Sequence, residues 1–182
     1  MYTYEKKRPA GDARRAEGSG GKEKYRAIFD SIPVNIRGMV SGLSLKELEG
    51  IEEFRLKAGA PFMVYSGGEG AFITADGKLS RDKGKAYVVT PEDTGKALQL
   101  ICECSVYSIE DELRSGYITI RGGHRVGVVG KVVTEGGRVK TIKDISGLNI
   151  RVSKQIIGCA SPLMPRIIRG REEVKNALII SP

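Results

Sequence analysis

Residues 116–130 read Gly-Tyr-Ile-Thr-Ile-Arg-Gly-Gly-His-Arg-Val-Gly-Val-Val-Gly, and this stretch decides how the surrounding chain folds. Residues 117–120 and 126–129 have the β-branched and aromatic content that is typical of strands. Gly122 and Gly123 lie between them, and glycine readily adopts the positive φ angles that a tight turn demands. The stretch therefore predicts a β-hairpin.

Three basic side chains accompany this turn, at Arg121, His124 and Arg125. We expect them to cluster at the tip of the hairpin. Like charges placed close together cost stability unless an anion or a carboxylate lies among them. The pattern therefore predicts a negatively charged partner at the turn.

The composition is typical of an ordinary soluble chain, with 182 residues of which 40% are hydrophobic and 29% charged. This length favours one main domain with appendages. No run approaches the roughly 18 apolar residues that span a bilayer. The N-terminus carries charges where a signal peptide has its apolar stretch. We therefore expect a cytoplasmic protein.

The cysteines do not indicate a metal centre. Cys102, Cys104 and Cys159 lack the spacing of zinc ligands, and the chain has a single histidine to add to them. Cys102 and Cys104 also point to different faces of any helix that carries both. We predict no metal site and three reduced thiols.

The net charge of +8 is compatible with binding to nucleic acid, to an anionic membrane or to nucleotide phosphates, and also with a role in solubility alone. Residues 1–22 hold six basic and three acidic residues in a glycine-rich, apolar-poor sequence. Such a segment cannot bury enough surface to offset its ordering entropy, so we predict a disordered basic arm. Part of the charge is thus local, which weakens the case for nucleic acid.

The rest of the chain reads as mixed helix and strand. Pro33 ends a first helix, Ser44 and Glu47 form a capping-box pattern, and Thr90 caps a helix that begins at Pro91. The predicted helices cover residues 24–31, 45–48, 91–104, 109–114 and 162–168. The predicted strands, besides the hairpin, cover residues 52–57, 61–65, 71–74, 86–89, 131–134, 139–142, 148–152 and 176–180. These elements predict an α+β domain with a mixed or largely antiparallel sheet and helices packed on one side.

The last predicted strand runs into Ser181 and Pro182, as a chain does when it approaches a phosphate-binding turn. A Walker A loop requires Gly-Lys followed by Ser or Thr, so that the hydroxyl group reaches magnesium. The Gly-Lys pairs that begin at Gly77, Gly84, Gly95 and Gly130 are followed by Leu, Ala, Ala and Val. None of these pairs forms such a loop.

Several segments together resemble the stage III sporulation protein AA family of endospore-forming bacteria. They are residues 53–61, 105–107, 116–130, 148–151 and 176–182. Within them, Arg-Gly-Gly-His-Arg-Val-Gly is the most specific. Phe54 and Lys57 depart from the family, which more often has an aliphatic residue and an arginine there.

The resemblance implies an ATPase related to the type II and type IV secretion motors. It implies residues 23–170 as an N-terminal domain and 171–182 as the first strand of an ATPase core whose Walker A loop would follow. ATP and Mg would belong to the full-length protein, and this chain alone would bind neither stably and be inactive. The expected partners are further copies in a ring, as a hexamer, and other stage III channel proteins, in the mother-cell cytoplasm or peripherally at the membrane.

In the related motors the N-terminal domain supplies arginines to the phosphates at a neighbouring subunit. The resemblance gives this role to Arg125 and Arg151, with Arg121 as a further candidate. Alternatively, these arginines pair with Glu110, Asp111 or Glu112 and hold the domain together. The candidate interface or structural residues are Arg55, Gly122, Gly123, His124, Gly127, Gly130 and Asn149. A rival function is a basic nucleic-acid-binding module, which the 6% aromatic content and the lack of tryptophan disfavour.

Overall fold

An antiparallel sheet of seven strands forms the centre of the computed structural model, which describes residues 24–104, 109–154, 156–169 and 173–178. The strands are β1 (Ile51–Lys57), β2 (Met63–Ser66), β3 (Glu69–Ile73), β4 (Leu79–Ser80), β5 (Tyr117–Ile120), β6 (His124–Glu135) and β7 (Arg138–Arg151). Their order in the sheet is β4-β3-β2-β1-β7-β6-β5. The predicted basic arm, the segment 105–107 and residues 179–182 lie outside the described residues.

The helices are α1 (Arg26–Asp30), α2 (Val34–Ser41), α3 (Leu45–Gly50), α4 (Pro91–Cys104), α5 (Ile109–Ser115) and α6 (Met164–Ile167). A 3-10 turn spans Lys83–Lys85, and two short strands, β8 (Ile168–Arg169) and β9 (Glu173–Val174), pair with each other.

One face of the sheet builds the core. Alternate residues of the central strands point to this face, among them Phe54, Ile150 and Val126, and they are buried. They pack with helix residues such as Ile36 and Ile101 in one hydrophobic cluster. The opposite face carries charged and polar side chains. The predicted α+β class, with an antiparallel sheet and helices on one side, is confirmed.

The predicted helix caps are present. Ser44 N–H donates to Glu47 Oε2 at 2.7 Å, and Glu47 N–H donates back to Ser44 Oγ at 3.3 Å. The hydrogen bonds from Ser44 lower the pKa of the Glu47 carboxyl. At the start of α4, Asp93 N–H donates to Thr90 Oγ1 at 3.1 Å and Thr90 N–H donates to Asp93 Oδ2 at 2.9 Å. Both helices therefore begin where their sequences indicate.

Helix α2 was not predicted from the sequence. Pro33 is extended, with φ −63° and ψ 157°, and Val34 follows as the first helical residue. The proline that stops one helix thus also starts the next, because its fixed φ suits a helix entrance. Ile36, Met39 and Val40 form the buried side of this helix.

Residues 86–89 do not form the predicted strand. They make only single bridges, from Ala86 to Thr74 and from Val88 to Pro61. The segment passes between two strand ends: Tyr87 N–H donates to Ile73 O at 2.8 Å, and Phe62 N–H donates to Tyr87 O at 2.7 Å. It therefore cannot run along one strand for a full ladder.

The carboxy-terminal expectations hold less well. The helix predicted at 162–168 is reduced to the four residues of α6. In the described part of the predicted strand 176–180, residues 176–178 are not in a strand and are exposed. An isolated extended segment needs a hydrogen-bonding neighbour to become a strand, and the described sheet provides none at this point.

Strands β6 and β7 form a long hairpin that contains a bulge at Gly130. The register shifts between Val129 and Lys131. A Cβ atom at Gly130 would lie 2.5 Å from Lys143 O. The close approach of two backbones at the bulge therefore requires glycine.

We expect Gly130→Ala to lower the free energy of unfolding by about 1–3 kcal/mol, because backbone must move to admit the methyl group. Gly38→Ala is the matched control, since nothing lies within 4 Å of its added Cβ in α2. Alanine is the better helix former by about 1 kcal/mol, so this control should gain stability. Urea unfolding measures both, and a Gly130→Ala protein as stable as the wild type would contradict the assignment.

Candidate anion-binding site

The open face of the sheet gathers the candidate arginines in neighbouring register positions. Arg151 of β7 lies opposite Arg125 of β6 on one side and opposite Glu53 of β1 on the other. Because register partners share a face, these three side chains rise from the same row of the sheet. The next row extends across β5 as well and contains Tyr117, Gly127, Asn149 and Arg55.

A single carboxylate joins two of the arginines. Glu53 is 9% exposed. Its Oε1 accepts a hydrogen bond from Arg55 Nε, and its Oε2 lies 3.3 Å from Arg151 Nε. Burying a carboxylate to this degree costs stability because the group loses its hydration, and charged hydrogen-bond donors offset that cost.

Arg125 has different surroundings. Its guanidinium lies over the ring of Tyr117, 5.0 Å from the ring centroid, and lines an open groove with Asp111, Glu112 and Gly123. Across residues 24–104, 109–154, 156–169 and 173–178, no carboxylate forms an ion pair with Arg125 or with Arg121. Arg121 lies exposed in the hairpin turn.

For the alternative of local pairing with α5, the structure describes two of the three carboxylates, and their described partners are not the candidate arginines. Asp111 pairs with Arg114 at 3.3 Å, and the Glu112 side chain accepts a hydrogen bond from Thr119 N–H at 2.8 Å. The side chain of Glu110 lies outside the described residues.

The partial counter-charge comes instead from Glu53, which the sequence analysis did not single out. Glu53 and Arg55 are two residues apart on one strand, a spacing that places both on one face. That signal was available in the sequence, but the pairing with Arg151, 98 positions along the chain, required the strand order.

His124 does not join the expected basic cluster. Strand alternation turns it to the buried face, where it is 3% exposed, while Arg125 points outward. Ser153 N–H donates to His124 Nδ1 at 3.0 Å. The neutral ring therefore carries its proton on Nε2. Burial lowers the pKa of His124 below its usual value. The histidine anchors the hairpin turn to the residues that follow β7.

The two turn glycines have the positive φ angles expected of them, 86° at Gly122 and 76° at Gly123. Gly122 also packs on the imidazole, because a Cβ there would lie 2.9 Å from His124 Nε2. Gly127 is not required by space, since its added Cβ would make only ordinary contacts, the nearest at 3.8 Å. Its missing side chain leaves a low point on the open face between Tyr117 and Asn149.

Among the described side chains, Cys102 and Cys159 are free thiols. Burial raises the pKa of the Cys102 thiol, and Cys159 is exposed. In the part of the chain with described coordinates, no group of histidine, cysteine, aspartate and glutamate side chains is arranged to hold a metal ion. No helix there is both long enough and apolar enough to cross a membrane.

The buried histidine gives folding a pH dependence of known sign. The unfolded chain takes up a proton near pH 6.5, whereas folded His124 has a lowered pKa. The stability is thus complete above about pH 6.5 and falls as the pH drops toward the folded pKa, with a slope of at most about 1.4 kcal/mol per pH unit.

We expect the free energy of unfolding to be lower at about pH 5.5 than at about pH 7.5 in urea titrations. His124 is the only histidine in the chain. His124→Gln should therefore remove most of this difference, whatever it does to stability at pH 7.5. An equal pH dependence in the variant would show that other groups cause it.

The amino-acid sequence is similar to that of a curated sporulation protein. The chain is 34% identical over 155 residues to stage III sporulation protein AA of Bacillus subtilis (strain 168), an alignment that covers 85% of this chain and 46% of that protein. The chain thus spans about half the length of the curated relative it matches. No solved structure matches it.

The family described as sporulation stage III, protein AA, matches residues 22–182. This match includes the hairpin with its paired glycines and every strand of the open face that carries Arg55, Arg125 and Arg151. The chain belongs to the stage III sporulation protein AA family.

Proposed function

We propose that this chain is the N-terminal part of a sporulation ATPase that resembles the type II and type IV secretion motors. In this proposal the open face of the sheet meets the ATP site of a neighbouring subunit. Arg125 and Arg151 contact the phosphates there, and Arg121 reaches the same anion from the turn. The motor powers or assembles a channel between mother cell and forespore.

One observation carries the proposal. The structure leaves an excess of cations on a single sheet face, since Glu53 is shared by Arg55 and Arg151 while Arg125 has no carboxylate partner within the described part of the chain. Arg125 and Arg151 are also directly opposite each other. Like charges in this position repel each other, and a bound anion removes the repulsion.

The chemistry of arginine suits a phosphate at a subunit boundary. The guanidinium stays charged at all physiological pH values, and its planar fork matches phosphate oxygens in pairs. Because the two arginines lie on paired strands, their Cα and Cβ atoms are held rigidly. Arginines placed in this way stabilise the charge that develops on a phosphoryl group during transfer.

The rest of the nucleotide site comes from outside the described residues. The Gly-Lys pairs at Gly21, Gly77, Gly84, Gly95 and Gly130 lack the Ser or Thr that would contact magnesium. The proposal therefore assigns ATP and Mg to the core that residues 171–182 lead into. Ring formation, with six subunits, brings each open face to the next subunit's core.

The direct test is ATP turnover by the full-length protein with Arg125→Ala. We expect a loss of at least about tenfold, because arginines that contact the transferred phosphoryl group typically contribute more than this. Arg81→Ala is the control, since Arg81 is an exposed arginine that pairs with Glu69 near the far edge of the sheet. Wild-type turnover in the Arg125 variant, with its ring intact, would contradict the proposal.

Mixed rings test whether the arginine acts on a neighbour. Subunits with Arg125→Ala keep their own nucleotide core, and subunits with a defective Walker A lysine keep their arginine. Combining the two inactive proteins should restore part of the activity if the contact is made between subunits. No recovery in confirmed mixed rings would exclude a contact in trans. Tight, steeply salt-dependent binding of oligonucleotides by the open face would instead support the nucleic-acid alternative.

A further inference from the structure

We infer that Glu53 is a positioning residue that holds Arg151 by its Nε edge, so that the terminal amino groups of Arg151 and Arg125 together bind a dianionic phosphoryl group. The inference rests on the proposed function, because it assigns separate roles to the charged residues of that same site. Arg151 and Arg125 bind the anion, Arg55 holds the Glu53 carboxylate in place, and Glu53 sets the orientation of the Arg151 guanidinium.

The exposed fractions of the side chains distinguish Glu53, which positions Arg151, from the arginine that binds the anion. The Glu53 side chain is 11% exposed, whereas the Arg151 side chain is 75% exposed. The carboxylate therefore lies beneath the guanidinium and contacts it from the protein side. An anion that approaches from solvent meets the arginine before it meets Glu53.

The choice of nitrogen atoms supports the same division. Glu53 contacts Nε of Arg151, and a guanidinium has five N–H donors in a fixed plane. The terminal amino groups of Arg151 make no hydrogen bond to any residue with described coordinates. They remain available to an anion while the Nε contact fixes the plane in which they lie.

Arg55 differs from Arg151 at this point. Its Nε donates to Glu53, its Nη1 donates to Tyr65 Oη at 3.1 Å, and its guanidinium covers the Tyr65 ring at 4.1 Å from the centroid. Arg55 is therefore tied on two sides. It keeps the buried carboxylate in place, and its side chain is only 43% exposed.

The charges define the ligand class. Within the two neighbouring rows of the sheet, three arginines and the single carboxylate of Glu53 leave two positive charges, while Asp111 and Glu112 of α5 line the groove beside Arg125. Residues directly opposite on antiparallel strands have Cα atoms roughly 4.5–5.5 Å apart, so two guanidinium groups from Arg125 and Arg151 can share one phosphate. A terminal phosphoryl group with two negative charges matches the net charge of these two rows.

Calorimetric titration of this 182-residue chain with inorganic tripolyphosphate tests the inference. We expect the wild type to bind, and Arg125→Ala and Arg151→Ala each to weaken binding. Glu53→Gln should weaken binding about three- to tenfold, and it should cause no further loss in the Arg151→Ala background. Non-additivity of this kind is the signature of two residues that act as a unit.

Glu52→Gln provides the matched control. Glu52 is the preceding, exposed residue, so its variant removes the same charge without removing a contact to Arg151. We expect tripolyphosphate to bind this variant at least as tightly as the wild type. Thermal unfolding followed by circular dichroism checks that each variant is folded.

A second readout does not depend on ligand. In nitrogen-15 spectra of the free chain, the Nε–H signals of Arg55 and Arg151 should shift in Glu53→Gln, while that of Arg125 should stay in place. A variant that unfolds would shift all three, which distinguishes a fold defect from the loss of a local contact.

The outcomes separate this inference from the proposed function. Unchanged or tighter tripolyphosphate binding by Glu53→Gln, or an equal loss with and without Arg151, would overturn the positioning role while leaving the arginine site intact. No binding by the wild-type chain would overturn the anion site itself. Tripolyphosphate binding as inferred, with normal ATP turnover by full-length Arg125→Ala, would refute the proposed role in the motor alone.

Discussion

One buried carboxylate, that of Glu53, pairs with two of the arginines on the open face of the sheet. Glu53 lies on β1 where this strand pairs with β7, and it forms an ion pair with one arginine from each of these two strands. A buried charge is stable only with such partners. The interaction therefore links two parts of the chain that are far apart in sequence. It also leaves Arg125, one strand further on, without an ion pair to a described carboxylate, and the proposed anion site rests on this arrangement.

Much of the fold follows from local chemistry that is visible in the sequence. The glycine pair of the hairpin, the caps at Ser44 and Thr90 and the alternating strands each have a physical cause within a few residues, and each is present in the structure. The features that the sequence did not reveal have longer-range causes. Helix α2 depends on packing of Ile36 into the core, and residues 86–89 thread between two strand ends whose positions only the sheet order determines.

The candidate site shows the same division. Arg125 and Arg151 were identified from the sequence, through the resemblance to the family, and the structure places them side by side. The expected cluster with His124 was wrong, because alternation along one strand puts neighbouring residues on opposite faces. His124 became a structural residue and Arg125 a surface one for this single reason. The counter-charge at Glu53 escaped notice, since a contact between the first and the seventh strand cannot be read from local spacing.

The central claim is that the open face of one subunit contacts the phosphates held by another. It is tested most directly by determining the structure of the full-length assembly with a non-hydrolysable ATP analogue. The account predicts that guanidinium nitrogens of Arg125 and Arg151 lie within about 3.2 Å of phosphate oxygens bound to the neighbouring subunit. An assembly in which this face is turned to solvent, or packs against a surface without nucleotide, would contradict it.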